Sequence, residues 1–341
     1  MSAPFLVATS VSKRFSQPPT WGERLAQRLR NRGRADPPRL VHAVESVSLS
    51  IARGEVLGLV GESGCGKSTL GRILTGILPP TEGSVRLDGR SIMDADGRRK
   101  IDRRVQMVFQ NPYASLNPRI RVGRAIAEGP VAHGLVPSHG ARAYVADWLS
   151  CVGLDPACAG RYPHQFSGGQ RQRIAIARAL AMQPEVLVCD EPVASLDVSI
   201  QAQIINLFLR LRRELSLTML FISHDLGVVR HLCDRVAVMY LGRIVESSPT
   251  EPLYESPQHP YTRALLASVP ALRLDESVVT FRPIAGELPS PLDPPSGCAF
   301  HARCPLAEPR CLAEIPLLEP LAPGRDAACH VAAARIAAAA V

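Results

Sequence analysis

No run of about 18 apolar residues occurs anywhere in this 341-residue chain, so nothing in it reads as a membrane-spanning helix. The first residues, MSAPFLVATSVSKRF, lack the charged head and apolar core of a signal peptide. The nine cysteines are odd in number and unevenly spaced, which argues against a disulfide scaffold. There is no heptad run to support a coiled coil. What is present is a hydrophobic content of 46%, enough for a real core, and a net charge of +8. The basic balance suits anionic partners such as nucleotides, nucleic acid or an acidic membrane face. The length allows one large domain with an appendage, or two domains. These limits describe a soluble cytoplasmic α/β protein.

Four short apolar runs, EVLGLV, RVQMVFQ, EVLVCDEP and LTMLFISHD, read as buried strands of the parallel type, with chemistry at their C-terminal ends. Helical patterns lie between them, notably GGQRQRIAIARALAMQ and SIQAQIINLFLRLRREL. In the second, Ile200, Ile204, Leu207, Phe208 and Leu211 form an apolar stripe that reads as core. The alternation predicts a parallel sheet in an α/β domain. From about Pro249 the chain becomes proline-rich and the alternation stops. This predicts one large domain over 1–250 and an irregular extension over 251–341 that needs a staple or a surface to lie on. A segment over 16–38 interrupts the first strands. Its Trp21, Leu25 and Leu29, set among arginines, read as a solvated insert, with a basic amphipathic helix on an anionic membrane face as the alternative.

GESGCGKST, after a strand and before a helical pattern, is a complete phosphate loop. Gly61, Gly64 and Gly66 permit a tight turn whose N–H groups face phosphates, with Ser63, Cys65 and Thr69 completing the cradle. Lys67 places a point charge on the β- and γ-phosphates, and Ser68 offers its hydroxyl to Mg²⁺. Asp190 ends an apolar strand and is the second expected Mg²⁺ residue. Glu191, one residue further, reaches a water in line with the γ-phosphate and is assigned as general base, an effect of about 10²–10⁴-fold. Ser167, Gly168, Gly169 and Gln170 open a strongly helical run, a helix N-terminus bared for an anion.

With these motifs in order, the chain resembles the nucleotide-binding subunit of an ATP-binding cassette (ABC) transporter over roughly residues 5–250. The match includes Gln110, the signature Ser167–Gln170, SLD at Ser195–Asp197 and His224 in FISHD. Phe166 stands where leucine is commonest. The resemblance implies a mixed sheet core with an antiparallel β subdomain and a helical subdomain over about 111–178. It implies that Phe15 stacks on adenine, that Gln110 meets Mg²⁺ and the attacking water, and that His224 holds the γ-phosphate. Asp197 joins the nucleotide site, and ATP is sandwiched between two subunits. FQNPYASLNPR, ESPQHPYTRALL and the cysteine-bearing tail are similar to the ATPases of bacterial peptide importers, the F-type more than the D-type. That group implies a D-type ATPase partner, two membrane permeases, an extracytoplasmic solute-binding protein and a peripheral place on the cytoplasmic face of the membrane. Nickel, glutathione or another small solute is the alternative cargo. A soluble cassette acting on ribosomes or nucleic acid is a rival, disfavoured by the single phosphate loop and single signature. A redox-sensing module that merely retains a cassette is another, disfavoured by the intact Lys67, Glu191 and His224.

The tail holds four cysteines, Cys298-x5-Cys304-x6-Cys311-x17-Cys329. In a reducing compartment this predicts a metal staple. Zinc usually comes with tight CxxC knuckles, which are missing from the tail, so a [4Fe–4S] cluster is the expectation. Zinc, helped by His301 or His330, is the alternative, and unligated thiols remain a third.

Overall fold

A computed structural model describes residues 4–17, 39–97, 99–268, 284 and 286–332. The basic insert over 18–38 and the alanine-rich end over 333–341 lie outside the described residues. In chain order the strands are β1 (Pro4–Gln17), β2 (Arg39–Ala52), β3 (Val56–Val60), β4 (Glu82–Leu87), β5 (Arg90–Ser91) and β6 (Val105–Val108). They continue with β7 (Val186–Asp190), β8 (Thr218–Ile222), β9 (Arg235–Tyr240), β10 (Arg243–Pro249), β11 (Glu319–Ala322) and β12 (Arg325–Ala327).

The four apolar runs become β3, β6, β7 and β8, which lie parallel to one another in the order β3-β8-β7-β6. Every residue of β3, β7 and β8 is buried. Alternation along each strand divides them between two cores. Val56 and Val60 of β3, Leu187 and Cys189 of β7, and Met219 and Phe221 of β8 face one core. Leu57, Leu59, Val186, Val188, Leu220 and Ile222 face the other, which is closed by Phe5, Leu6, Val44 and Val47 of a separate antiparallel sheet, β2-β1-β4-β5. Burial on both faces explains why these strands read as continuous apolar runs.

The helix Val198–Leu215 buries Ile204, Leu207, Phe208 and Leu211, with Ile200 partly covered, so the apolar stripe is core. Helices Val122–Ala132, Ala141–Cys151 and Gly168–Leu180 make up a helical subdomain beside β6. The C-terminal extension lies on the cassette. β9 and β10 form an antiparallel hairpin, β12 adds to β10 through Glu246↔Ala327 and Ser247↔Asp326, and β11 adds to β12. Phe300 is 2% exposed and enters the same core as β3.

Candidate functional site

β3 ends at Val60, and the backbone turns through Gly61–Gly66 into the helix Lys67–Leu74. Gly66 has φ 108°, and a Cβ there would meet the Ala43 carbonyl oxygen at 2.1 Å, so only glycine lets the loop pass under β2. Ser63 and Gly64 are exposed, while Cys65 is buried beneath the loop and burial pushes its thiol pKa up. Lys67 is 5% exposed, and its Nζ donates to the carbonyl oxygens of Gly61 (2.8 Å) and Glu62 (2.9 Å). The ammonium is therefore held at the centre of the turn. The helix that begins at Lys67 leaves its first N–H groups unsatisfied, as an anion requires. Ser68 and Thr69 are half-buried on its first turn.

The C-terminal ends of β7 and β8 carry the acids and the histidine. Ser68 Oγ donates to Asp190 Oδ1 at 2.8 Å. Burial holds the Asp190 carboxyl above the usual range, opposed by the Ser68 hydrogen bond and by Arg72 and Lys67 nearby. A hydroxyl and a carboxylate at hydrogen-bond distance are the hard oxygen donors that Mg²⁺ takes, so the pair fits the ion. Glu191 follows with φ 45°, a left-handed conformation that costs on the order of 1–3 kcal/mol in a non-glycine residue. Its N–H donates to the Ile222 carbonyl at 3.0 Å, which helps hold the turn. One oxygen, Glu191 Oε2, accepts from the Gln110 amide at 2.8 Å and lies 3.3 Å from His224 Nδ1. Gln110, Glu191 and His224 come from the ends of three different strands. The sheet brings them together, with His224 open to solvent.

Ser167 caps the helix Gly168–Leu180. Its hydroxyl accepts from the Gln170 N–H (3.3 Å), and the Gln170 side chain accepts from the Ser167 N–H (3.0 Å), a capping box. Asp197 caps the helix Val198–Leu215, accepting from the Ile200 N–H at 2.9 Å. Gly169 packs against Ile200, so the two helix starts abut. Phe15, on β1, is 39% exposed with the Lys13 ammonium 5.4 Å from its ring centre. Among the described residues, neither Ser167–Gln170 nor Phe15 shares a hydrogen bond or ion pair with Gly61–Thr69.

The four tail cysteines converge. Cys298, Cys304, Cys311 and Cys329 are free thiols that lie near one another, with the Cys298 N–H donating to the Cys311 carbonyl at 2.8 Å. Burial pushes the Cys298 thiol up to about 11 and raises those of Cys304 and Cys329. Yet among the described residues no group of three or more His, Cys, Asp or Glu is placed to hold a metal ion. The arrangement therefore does not support the expected iron–sulfur or zinc ligand set. Neither histidine joins them by a side-chain bond. His301 Nδ1 lies 2.9 Å from the Cys298 carbonyl, and His330 Nε2 lies 3.1 Å from that of Glu314.

Sequence reasoning missed the residues that brace the phosphate loop from outside it. The Glu62 N–H donates to Tyr261 Oη at 2.8 Å. The Glu62 carboxylate takes both arms of the Arg303 guanidinium, at 2.8 and 3.0 Å, and Arg303 also reaches Tyr240 Oη at 3.4 Å. Tyr240, Tyr261 and Phe300 form an aromatic cluster with ring centres 4.6 to 5.4 Å apart. The one available signal was an acid inside a loop meant for anions, which calls for a cation somewhere in the chain.

Comparison with known proteins agrees with this geometry. The ABC transporter family profile matches residues 44–194, and that of the oligopeptide/dipeptide transporter C-terminal region matches residues 245–311. The chain is 52% identical over 295 residues to the oligopeptide transport ATP-binding protein AppF of Bacillus subtilis (strain 168), covering 85% of this chain and 90% of that one. It is 53% identical over 292 residues to the di/tripeptide transport ATP-binding protein DppF of Pseudomonas aeruginosa (strain UCBPP-PA14), again covering 85% and 90%. Among solved structures it superposes on the ATP-binding cassette MJ0796, a dimer in a post-hydrolysis state bound to ADP and Pi. The TM-score is 0.59 at 28% identity, covering 72% of this chain and 98% of that one.

Proposed function

This chain belongs to the ABC transporter family as an ATP-binding subunit of the oligopeptide/dipeptide group, and on that premise we propose how its residues divide the work of hydrolysis coupled to peptide import. The observation that carries the reading is the convergence of Gln110, Glu191 and His224 on one carboxylate oxygen, beside the Ser68–Asp190 pair. Glu191 accepts a proton from the attacking water. Gln110 and His224 fix its carboxylate and leave the exposed side for that water. Lys67, held in place by its two carbonyl partners, reaches the β- and γ-phosphates, and Ser68 and Asp190 would hold Mg²⁺. When bound, that ion neutralises developing charge on the phosphoryl oxygens. Phe15 offers an exposed ring to adenine. Replacing Glu191 with Gln keeps the shape but removes the proton acceptor, so hydrolysis falls about 10³-fold while ATP stays bound. Turnover within a few-fold of wild type would remove Glu191 from this role.

Ser167–Gln170 make no bond to their own phosphate loop, and their capped helix is an anion site awaiting a second chain. This supports a composite site shared with a second ATPase subunit, here a D-type partner, and the similar cassette MJ0796 is itself a dimer. No helix among the described residues is long and apolar enough to cross a membrane. The proposed attachment to the cytoplasmic face is through permease subunits, as the resemblance to peptide-importer ATPases implies. An open groove of about 830 Å³ beside Gln110, lined by Met107, Phe109, Ile126 and Met182 with Lys100 and Arg104 at its side, suits a helix of such a permease. A [4Fe–4S] cluster on the four tail cysteines has narrower support, the mutual proximity of the thiols alone. Iron and acid-labile sulfide in protein purified without oxygen test it, and zinc without sulfide, or no metal, would end it.

A further inference from the structure

A glutamate is a poor choice in a loop that must receive a triphosphate. Its charge repels the ligand unless something cancels it. Here the cancelling group comes from 241 residues away. Arg303 lies in the turn between Cys298 and Cys304, with its side chain 4% exposed, and its two arms meet the two oxygens of Glu62, a side chain 26% exposed. Such a fork-on-carboxylate pair is both strong and directional. Glu62 is gripped at every polar position it has. Tyr261 accepts its N–H, Arg303 binds its carboxylate, and its carbonyl accepts from Lys67. Tyr261 and Arg303 both belong to the C-terminal part of the chain, and Phe300 packs against the rings of both Tyr240 and Tyr261, which seats the turn that carries Arg303.

We infer that Arg303 is a positioning residue for ATP, which screens the Glu62 charge and fixes the carbonyl that shares Lys67, so that the C-terminal extension sets the affinity of the phosphate loop. The inference rests on the reading of Gly61–Thr69 as that loop. Arg303 touches no phosphate itself. Its effect is on ground-state binding and leaves the chemical step alone, so it shows in KM and not in kcat. A guanidinium that only glued the extension to the cassette would, when removed, lower the melting temperature without changing KM for ATP.

The test uses the full chain with MgATP, measuring Kd, steady-state KM and kcat, and melting temperature. Arg303→Gln is expected to raise Kd and KM about tenfold with kcat within about twofold. Arg303→Lys keeps the charge and recovers most of the affinity. The double variant Glu62→Gln/Arg303→Gln removes the charge and its counter-charge together and returns KM to within a few-fold of wild type. A lowered melting temperature with unchanged KM in Arg303→Gln would overturn the inference. So would a double variant that keeps the high KM of the single one. Lys67→Ala distinguishes the two levels of the argument. Unchanged ATP binding there would overturn the loop reading, whereas weak binding there beside an unmoved Arg303→Gln would overturn the role of Arg303 alone.

Discussion

The centre of the cassette and the C-terminal extension are held together in different ways. In the centre, β3, β7 and β8 are buried along their whole length and paired on both sides, so each residue is fixed by many neighbours. The part of the extension beyond residue 283 is held by separate attachments, among them Phe300 in the aromatic cluster, Arg303 on Glu62, the His42 N–H on the Pro291 carbonyl at 2.9 Å, the two-residue ladder to β10, and the Ala328 N–H on the Val245 carbonyl at 2.8 Å. A densely paired sheet spreads the cost of a change, while a sparsely pinned segment concentrates it. Local opening should therefore begin in the extension, while the ATP site keeps its frame.

The sharpest way to break this comparison is Phe300→Ala. Removing a fully buried ring costs about 3–5 kcal/mol, and the loss should fall on residues 298–332 as faster hydrogen exchange, with β3 and β7 still protected. Equal loss of protection in β3 would mean that the two regions unfold as one.

A graded test uses His259, which is 1% exposed and sits where the regions meet. Its Nδ1 accepts from the Tyr261 N–H at 3.0 Å, and its ring lies 5.9 Å from that of Phe300. Burial lowers its pKa from the ordinary 6.5 to about 3, against a backbone hydrogen bond to Ala328. A folded pKa below the unfolded one gives stability that is present above about 6.5 and lost as pH falls toward 3. Protease access to the extension should rise across that window, and His259→Gln should flatten the dependence. A pH-independent cleavage rate in the wild-type chain would deny the histidine this role.

The smallest effect concerns the cassette side. Ser167→Ala removes one cap from the helix Gly168–Leu180 and should cost about 1 kcal/mol in the chain without nucleotide, read as a small fall in melting temperature. A loss of several kcal/mol would show that this helix start is as sparsely pinned as the extension.

The same contrast decides what was legible in the sequence. His224 was reached only through the family resemblance, whereas Lys67, Ser68, Asp190 and Glu191 were readable because each stands at the end of an apolar strand or beside a glycine-rich turn, where local spacing places them. The stripe from Ile204 to Leu211 was readable for the same reason. Arg303 and Tyr261 were not, because the group that gives each its meaning, Glu62, is joined to it only by the fold. β11 and β12 were hidden in EPLA and RDA, short polar stretches with no alternation, which become strands because β10 offers them an edge. The mutual proximity of the four cysteines could be guessed from their crowding, but not their burial or half-burial against the cassette.

The seam between β10 and β12 also bears on how the protein is made. β10 leaves the ribosome well before β12, so for part of synthesis the main sheet ends in a bare row of N–H and C=O groups at Glu246 and Ser247. An unpaired edge is a template for any other strand, including one from a neighbouring nascent copy. The last strand to emerge is the one that closes it. A chain cut short before Glu319 would carry the whole nucleotide motif set and still display an adhesive edge, so message truncation or proteolytic clipping of the tail should appear first as aggregation.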